Sequence, residues 1–131
     1  MKQREIINYW IEGSKTDLDN FKWLYRHKRY YPCLFFGHLV IEKVLKALVI
    51  SETKNIPPYT HDLNKLVELS KVTIFSETDI KLLKTIGKYN IEARYPDIKE
   101  KLHNKATKEY TEIKYDQILQ LYEKICNKVL Q

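Results

Sequence analysis

The chain has 131 residues, enough for one compact domain with a sizeable hydrophobic core. Hydrophobic residues make up 44% of it and charged residues 31%, a balance that argues against disorder. Its 23 Lys and Arg outnumber its 17 Asp and Glu, and the resulting charge of +6 permits an anionic partner such as a nucleotide or RNA without requiring one. No long linker or repeat divides the sequence, which predicts a single domain over residues 1–131.

Apolar residues at helical spacing predict the first three helices. The first runs from about residue 3 to 28. The second starts at the step before Pro32, which a first helical turn tolerates, and ends near Glu52. A short third helix is expected to begin at Thr60, a residue type that caps helix N-termini.

Ser76 is expected to open the fourth helix, with Asp79 three residues on in a capping-box arrangement. Because proline is costly in a helix interior, Pro96 should end this helix near Arg94. A polar, partly helical stretch over 97–114 precedes a last helix at 115–130. These elements predict an all-α fold, an up-and-down four-helix bundle with one additional short helix.

A narrow polar seam runs along the second helix, the most apolar one in the sequence. His38, Glu42 and Lys46 recur there at positions i, i+4 and i+8, so they share one side of the helix. Charge beside a core is costly unless it is paired, solvated or used. The seam is therefore an internal ion pair, a dimer interface, or the wall of a polar cleft that takes an anion at Lys46.

The order of three motifs resembles that of the HEPN domain family (higher eukaryotes and prokaryotes nucleotide-binding), over about residues 3–130. The motifs are His38-x-x-Ile41-Glu42-Lys43-x-Leu45-Lys46-Ala47, then Thr60-His61-Asp62-Leu63, then Ala93-Arg94-Tyr95-Pro96-Asp97. The resemblance implies a helical bundle that pairs into a homodimer. It also implies either nucleotide binding beside a separately encoded minimal nucleotidyltransferase, or metal-independent RNA cleavage by a toxin of a toxin–antitoxin pair.

The sequence departs from the cleaving members of that family, which place four to six residues between an Arg and a His. The candidate catalytic residues here are Arg94 and His103, with eight residues between them. On one continuous helix that separation puts the two side chains on opposite faces. The spacing weakens the cleavage hypothesis, although a loop that returns His103 toward Arg94 would restore it.

Arg94 is the leading candidate for ligand binding, because a guanidinium can hold a phosphate through two parallel hydrogen bonds. Its structural alternative is an ion pair with Glu92 or Asp97. The flanking tyrosines, Tyr89 and Tyr95, are candidates for stacking on a base. The remaining candidate ligand-binding residues are His38, Glu42 and Lys46 from the first of the three motifs and Asp97 from the third.

His61 is expected to hold a loop by hydrogen bonding rather than to catalyse. The four histidines and two cysteines show no metal-binding spacing, and there is no Gly-rich phosphate loop, so neither a metal nor a cofactor is predicted. No secretory signal or membrane span is recognisable, which predicts a cytoplasmic protein. Aromatic residues expected on exposed helix faces, such as Trp23 and Tyr25, favour a homodimer.

Three functions remain open. The first is a nucleotide- or RNA-binding domain that acts with a nucleotidyltransferase partner. The second is a metal-independent ribonuclease toxin, and the third is a non-catalytic dimerisation module.

Overall fold

The computed structural model describes residues 2–131, with the helical backbone alone at positions 96–99. Six helices follow one another: α1 Gln3–Arg26, α2 Tyr30–Thr53, α3 Leu63–Ser70, α4 Glu77–Arg94, α5 Pro96–Lys105 and α6 Lys108–Val129. No strand occurs in residues 2–131, so the all-α prediction is confirmed. Two of the helices, α3 and α5, are short, where the sequence predicted one.

The apolar helix α2 lies at the centre and contacts all five of the other helices. Leu45 and Leu48 are fully buried in it, as expected of a helix surrounded by others. Gly37 allows the closest approach: a Cβ there would lie 2.8 Å from Ile118 Cδ1 on α6 and 3.1 Å from the Phe21 ring on α1. This glycine lets two helices pack directly against the backbone of α2.

Aromatic contacts join α1 to α6. The ring of Tyr115 stacks on Tyr25 at 3.9 Å and on Phe21 at 4.8 Å between ring centroids. Tyr25 is therefore half-buried within the fold and does not supply the exposed surface that the sequence suggested. Trp23 does remain exposed, by 48%.

The helix caps follow local chemistry. Ser76 and Asp79 form the predicted capping box at α4, with Ser76 Oγ accepting from the Asp79 amide at 3.1 Å. At α3 the cap is Asp62, whose carboxylate accepts from the Lys65 amide at 3.1 Å. Thr60 was predicted for this role, but its hydroxyl instead accepts from the amide of Asp62, which lies just before the helix and not within its first turn.

Residues 97–114 are more helical than their polar sequence predicts. Pro96 ends α4 at Arg94 as expected and then occupies the first position of α5, where a proline needs no amide partner. Leu102 and Ala106 are buried and hold α5 to the core. The hydroxyl of Thr107 accepts from the backbone amide of Tyr110, so the last helix begins at Lys108, well before the predicted start at 115.

Candidate functional site

One stripe along α2 carries the contacts of the candidate residues. Its members are Tyr31, Phe35, His38, Glu42 and Lys46, spaced three or four residues apart and hence on one side of the helix. From the start of α2 onward, these residues meet α5, α4, the loop before α3, and α1 in turn. The polar seam predicted from the sequence is the second half of this stripe.

Glu42 is the centre of a buried charge cluster. Its Oε2 accepts from Lys46 Nζ at 3.0 Å, and its Oε1 accepts from His61 Nδ1 at 2.8 Å. Lys46 also lies 4.9 Å above the indole ring of Trp10. Since both members of the Glu42–Lys46 pair are 5% exposed, the lysine neutralises Glu42 and does not present a free charge to solvent.

His38 is fully buried beside this cluster. Its Nε2 donates to the backbone oxygen of His61 at 3.2 Å, which leaves the lone pair on Nδ1. That Nδ1 lies 3.8 Å from Glu42 Oε1 and makes no hydrogen bond within the described part of the chain. Burial lowers the pKa of His38 below its ordinary value, and the positive charge of Arg94 acts in the same direction against the pull of Glu42.

Arg94 is the last residue of α4 and lies at the surface. Its Nε donates to Asn90 Oδ1 at 2.8 Å, and its guanidinium lies 5.6 Å from the ring centroid of Phe35. Among the side chains that the structure describes, no carboxylate forms an ion pair with it; Glu92 pairs with Lys105 at 3.4 Å instead. The guanidinium is thus oriented by an amide and a ring, and its charge is not neutralised by either.

His103 is carried by α5 and reaches the same stripe one turn away. Its ring meets that of Tyr31 edge to face at 5.8 Å, and Tyr31 and Phe35 are four residues apart on α2. The break at Tyr95 places Arg94 and His103 on separate helices, so the opposite-face argument for one continuous helix does not apply. Both residues face the first half of α2.

An open groove of about 630 Å³ separates the start of α3 from α4. From α3 and the loop before it come His61, Asp62, Leu63 and Asn64, and from α4 come Ile80, Lys84, Gly87, Lys88, Asn90 and Ile91. A Cβ on Gly87 would meet nothing within 4 Å, so the groove is open at this point. Arg94 does not itself line the groove, but Asn90 both lines it and accepts the hydrogen bond from Arg94, so the guanidinium lies next to the Asn90 end of the groove.

The family model described as HEPN domain matches residues 7–131. The chain belongs to the HEPN domain family. No curated protein and no solved structure matches the chain. HEPN membership supports a nucleotide- or RNA-related function. Among the described helices, none combines the length and hydropathy that a membrane crossing requires.

Not every candidate ligand-binding residue of this HEPN domain reaches the surface. Tyr89, a predicted base-stacking residue, is fully buried, and its hydroxyl lies 2.6 Å from that of Tyr110. We therefore assign it to the core, since a base cannot reach its ring. Tyr95 is 57% exposed and remains available for stacking. The side chain of Asp97 lies outside the described residues.

The sequence did not reveal two features of the site in this HEPN domain. His61 was expected to hold a loop, and it does so through Glu42, but its side chain is also 42% exposed and lines the groove. Lys84 and Lys88 line the opposite wall. Their spacing of four residues on α4 is the signal that would have placed them on one face.

Proposed function

We propose that this HEPN domain binds the phosphate of a nucleotide or of RNA through Arg94. The supporting observation is a guanidinium that is exposed, oriented by Asn90 and Phe35, and without an ion-pair partner among the described side chains. A charge held in place by neutral groups keeps its donors for a ligand, and phosphate is the group that a guanidinium binds in two-pronged fashion. Tyr95, exposed next to it, is suited to stack on a base.

The groove beside Arg94 supplies room for the rest of the ligand. Its volume lies within the usual range of small-molecule sites, roughly 300–1,000 Å³. Ile80 and Ile91 give it apolar surface for a base, and Lys84 and Lys88 give it positive charge for further phosphates. In this proposal His38, Glu42 and Lys46 support the site from behind and do not touch the ligand, because all three are buried.

The test compares Arg94→Ala with Arg26→Ala. Both arginines are exposed and end a helix, but Arg26 lies on α1, away from the groove. Losing a charged hydrogen-bond donor costs about 1.5–3 kcal/mol, so we expect Arg94→Ala to weaken binding of a fluorescent adenine nucleotide about 10- to 100-fold. Arg26→Ala should bind that nucleotide like the parent, and both variants should keep the parent's helical circular dichroism. Equal affinity of Arg94→Ala and the parent would refute the assignment.

One observation favours metal-independent RNA cleavage as a second candidate function. Arg94 and His103 both face the first half of α2, one turn apart. Cleavage requires a 2′-oxygen to bond to phosphorus while the 5′-oxygen leaves, with one proton removed and one supplied; an imidazole can do either, and Arg94 would stabilise the phosphate charge. Incubation of total RNA without metal tests this: cleavage lost in His103→Ala but with nucleotide binding intact would establish it.

We further propose that the domain acts in the cytoplasm as a homodimer beside a separately encoded nucleotidyltransferase. Tyr9, Ile113 and Leu130 are more than half exposed and lie outside the proposed ligand site, so they supply apolar surface that a partner subunit would cover. Light scattering at micromolar concentration tests the dimer, and a monomer there would refute it. If Arg94 proves to have no ligand, dimerisation alone becomes the better account.

A further inference from the structure

The turn between α1 and α2 concentrates the positive charge of the chain. Lys22, Arg26, Lys28 and Arg29 fall within eight residues, and positions 22–29 contain no Asp or Glu. This segment alone carries a charge of +4, against +6 for the whole protein. We refer to these four residues together with Trp23 as the basic turn.

Folding does not account for this charge. Cations favour a helix C-terminus, but Arg26 is the only member in the last turn of α1, and Lys28 and Arg29 follow the helix end. The neighbouring His27 already serves that end, donating from Nδ1 to the backbone oxygen of Trp23 at 2.9 Å. Within residues 2–131, excluding the side chains at 96–99, none of the four cations forms an ion pair. They are therefore available to an external anion.

The basic turn also offers an aromatic surface. The indole of Trp23 stacks on the His27 ring at 3.9 Å between centroids and is still 48% exposed. Beside it lies a shallow depression of about 560 Å³, lined by Lys22 and Arg26 together with Asp19 and Asn20. An aromatic ring between cations is the arrangement that binds single-stranded nucleic acid, with bases stacked on the ring and phosphates on the charges.

The basic turn lies at the same end of α2 as the proposed phosphate site. α2 begins at Tyr30, directly after Arg29, and the backbone of Phe35, whose ring lies beneath Arg94, is about 9 Å further along the helix axis than Arg29. A single strand of several nucleotides can cover that separation along the axis of α2. One mononucleotide has too few phosphates to use both sets of cations.

We propose that the basic turn is a second binding surface for single-stranded RNA, continuous with the site at Arg94. The inference rests on the proposed function and deepens it, because it makes an RNA strand the ligand in preference to a free nucleotide. RNA is favoured over an anionic membrane since, in the described structure, Trp23 is the only large apolar side chain exposed in the second half of α1. Membrane insertion needs a broader apolar face.

The experiment replaces all four cations with glutamine: Lys22→Gln, Arg26→Gln, Lys28→Gln and Arg29→Gln. The matched control changes four exposed cations outside the turn and removes the same charge: Lys2→Gln, Arg4→Gln, Lys54→Gln and Lys71→Gln. Binding of a fluorescent single-stranded RNA of about 12 nucleotides, within the usual site sizes, is titrated from low to high salt. The fluorescent adenine nucleotide is titrated in parallel, so that the Arg94 site is read separately.

Binding of RNA weakens as salt rises, and each RNA phosphate that the protein neutralises makes the slope of log affinity against log salt steeper by roughly 0.7. With four cations removed, we expect the slope of the basic-turn variant to be shallower than the parent's by up to about 3. Its nucleotide affinity should match the parent's, and the control's salt slope should change much less. Trp23→Ala alone should weaken RNA binding about 5- to 100-fold without changing the slope.

Three results would overturn the proposal. They are equal slopes for the basic-turn variant and the control, no RNA binding by the parent, and charge-dependent binding to phosphatidylserine vesicles with RNA affinity unaffected. A different result would show that the assignment of Arg94 as the phosphate-binding residue is wrong. In that case Arg94→Ala leaves nucleotide binding intact, whatever the basic turn does to the RNA salt slope.

Discussion

Replacing Glu42 with glutamine tests whether the buried charge cluster holds the site together. The substitution removes the carboxylate that pairs with Lys46, whose side chain is 7% exposed and which also contacts the Trp10 ring. Breaking a buried ion pair by removing one partner costs about 3–5 kcal/mol, because the remaining charge is left unpaired. Glutamine can still accept a hydrogen bond from Lys46 or His61, so we expect a loss of about 3 kcal/mol in the free energy of unfolding.

Removing the lysine of this pair should lower the free energy of unfolding by less than removing the carboxylate does. In Lys46→Met the Glu42 carboxylate keeps its hydrogen bond from His61 Nδ1 at 2.8 Å, so it is not left without a partner. We therefore expect a loss of about 1–2 kcal/mol in the free energy of unfolding. The double variant Glu42→Gln with Lys46→Met should be more stable than Glu42→Gln alone, since it leaves no charge of this pair buried and unpaired.

Urea unfolding followed by circular dichroism measures all three variants, with the surface pair Glu12–Lys15 as the control. That pair is joined at 3.3 Å but its side chains are 71% and 60% exposed, so Glu12→Gln should change stability by less than about 1 kcal/mol. A Glu42→Gln cost as small as that of Glu12→Gln would refute the reasoning, because it would mean that water reaches Lys46 in the folded protein.

Two further predictions concern a leucine of the core and the buried imidazole of His38. Leu45→Ala should cost about 2–5 kcal/mol, as is usual for a buried leucine, while exposed Lys81→Ala should stay within roughly half a kcal/mol in the same urea assay. Stability should also fall as the pH drops below about 6.5, the ordinary pKa of histidine, because the folded pKa of His38 is lower and the unfolded chain therefore binds the proton more readily. His38→Gln should flatten this part of the pH profile; an unchanged slope would assign it to another group.

The sequence predicts the elements whose local signals are strong. The apolar run of α2, the Ser76–Asp79 capping box and the break at Pro96 all act within a few residues, and the structure has each of them where it was expected. The helix α5 and the early start of α6 are different. Their sequence is mostly polar, and the helix is held by tertiary contacts of Leu102 and Ala106, which no local pattern records.

The candidate site is predictable only on the α2 side. The i, i+4, i+8 spacing placed His38, Glu42 and Lys46 together and predicted the Glu42–Lys46 pair as one of three alternatives. Their partners His61 and Trp10 lie on other elements, 19 and 32 residues from Glu42 in the sequence, so periodicity along α2 could not reveal them. The sequence also could not decide whether the seam faces inward, which is why it left an anion at Lys46 as an open alternative.

The burial of Lys46 changes what kind of ligand the site suits. With that lysine neutralised by Glu42, the accessible cations at the groove come from α4: Lys84 and Lys88 on its wall and Arg94 at its end. Ten residues separate Lys84 from Arg94, so their backbone positions lie about 15 Å apart along the helix axis. A nucleic-acid strand rises roughly 3.4 Å per nucleotide in a duplex, so a ligand that meets both ends must span several phosphates. The spacing of charges on α4 therefore suits a ligand with several phosphates, which agrees with the RNA strand that we propose as the ligand of the turn between α1 and α2.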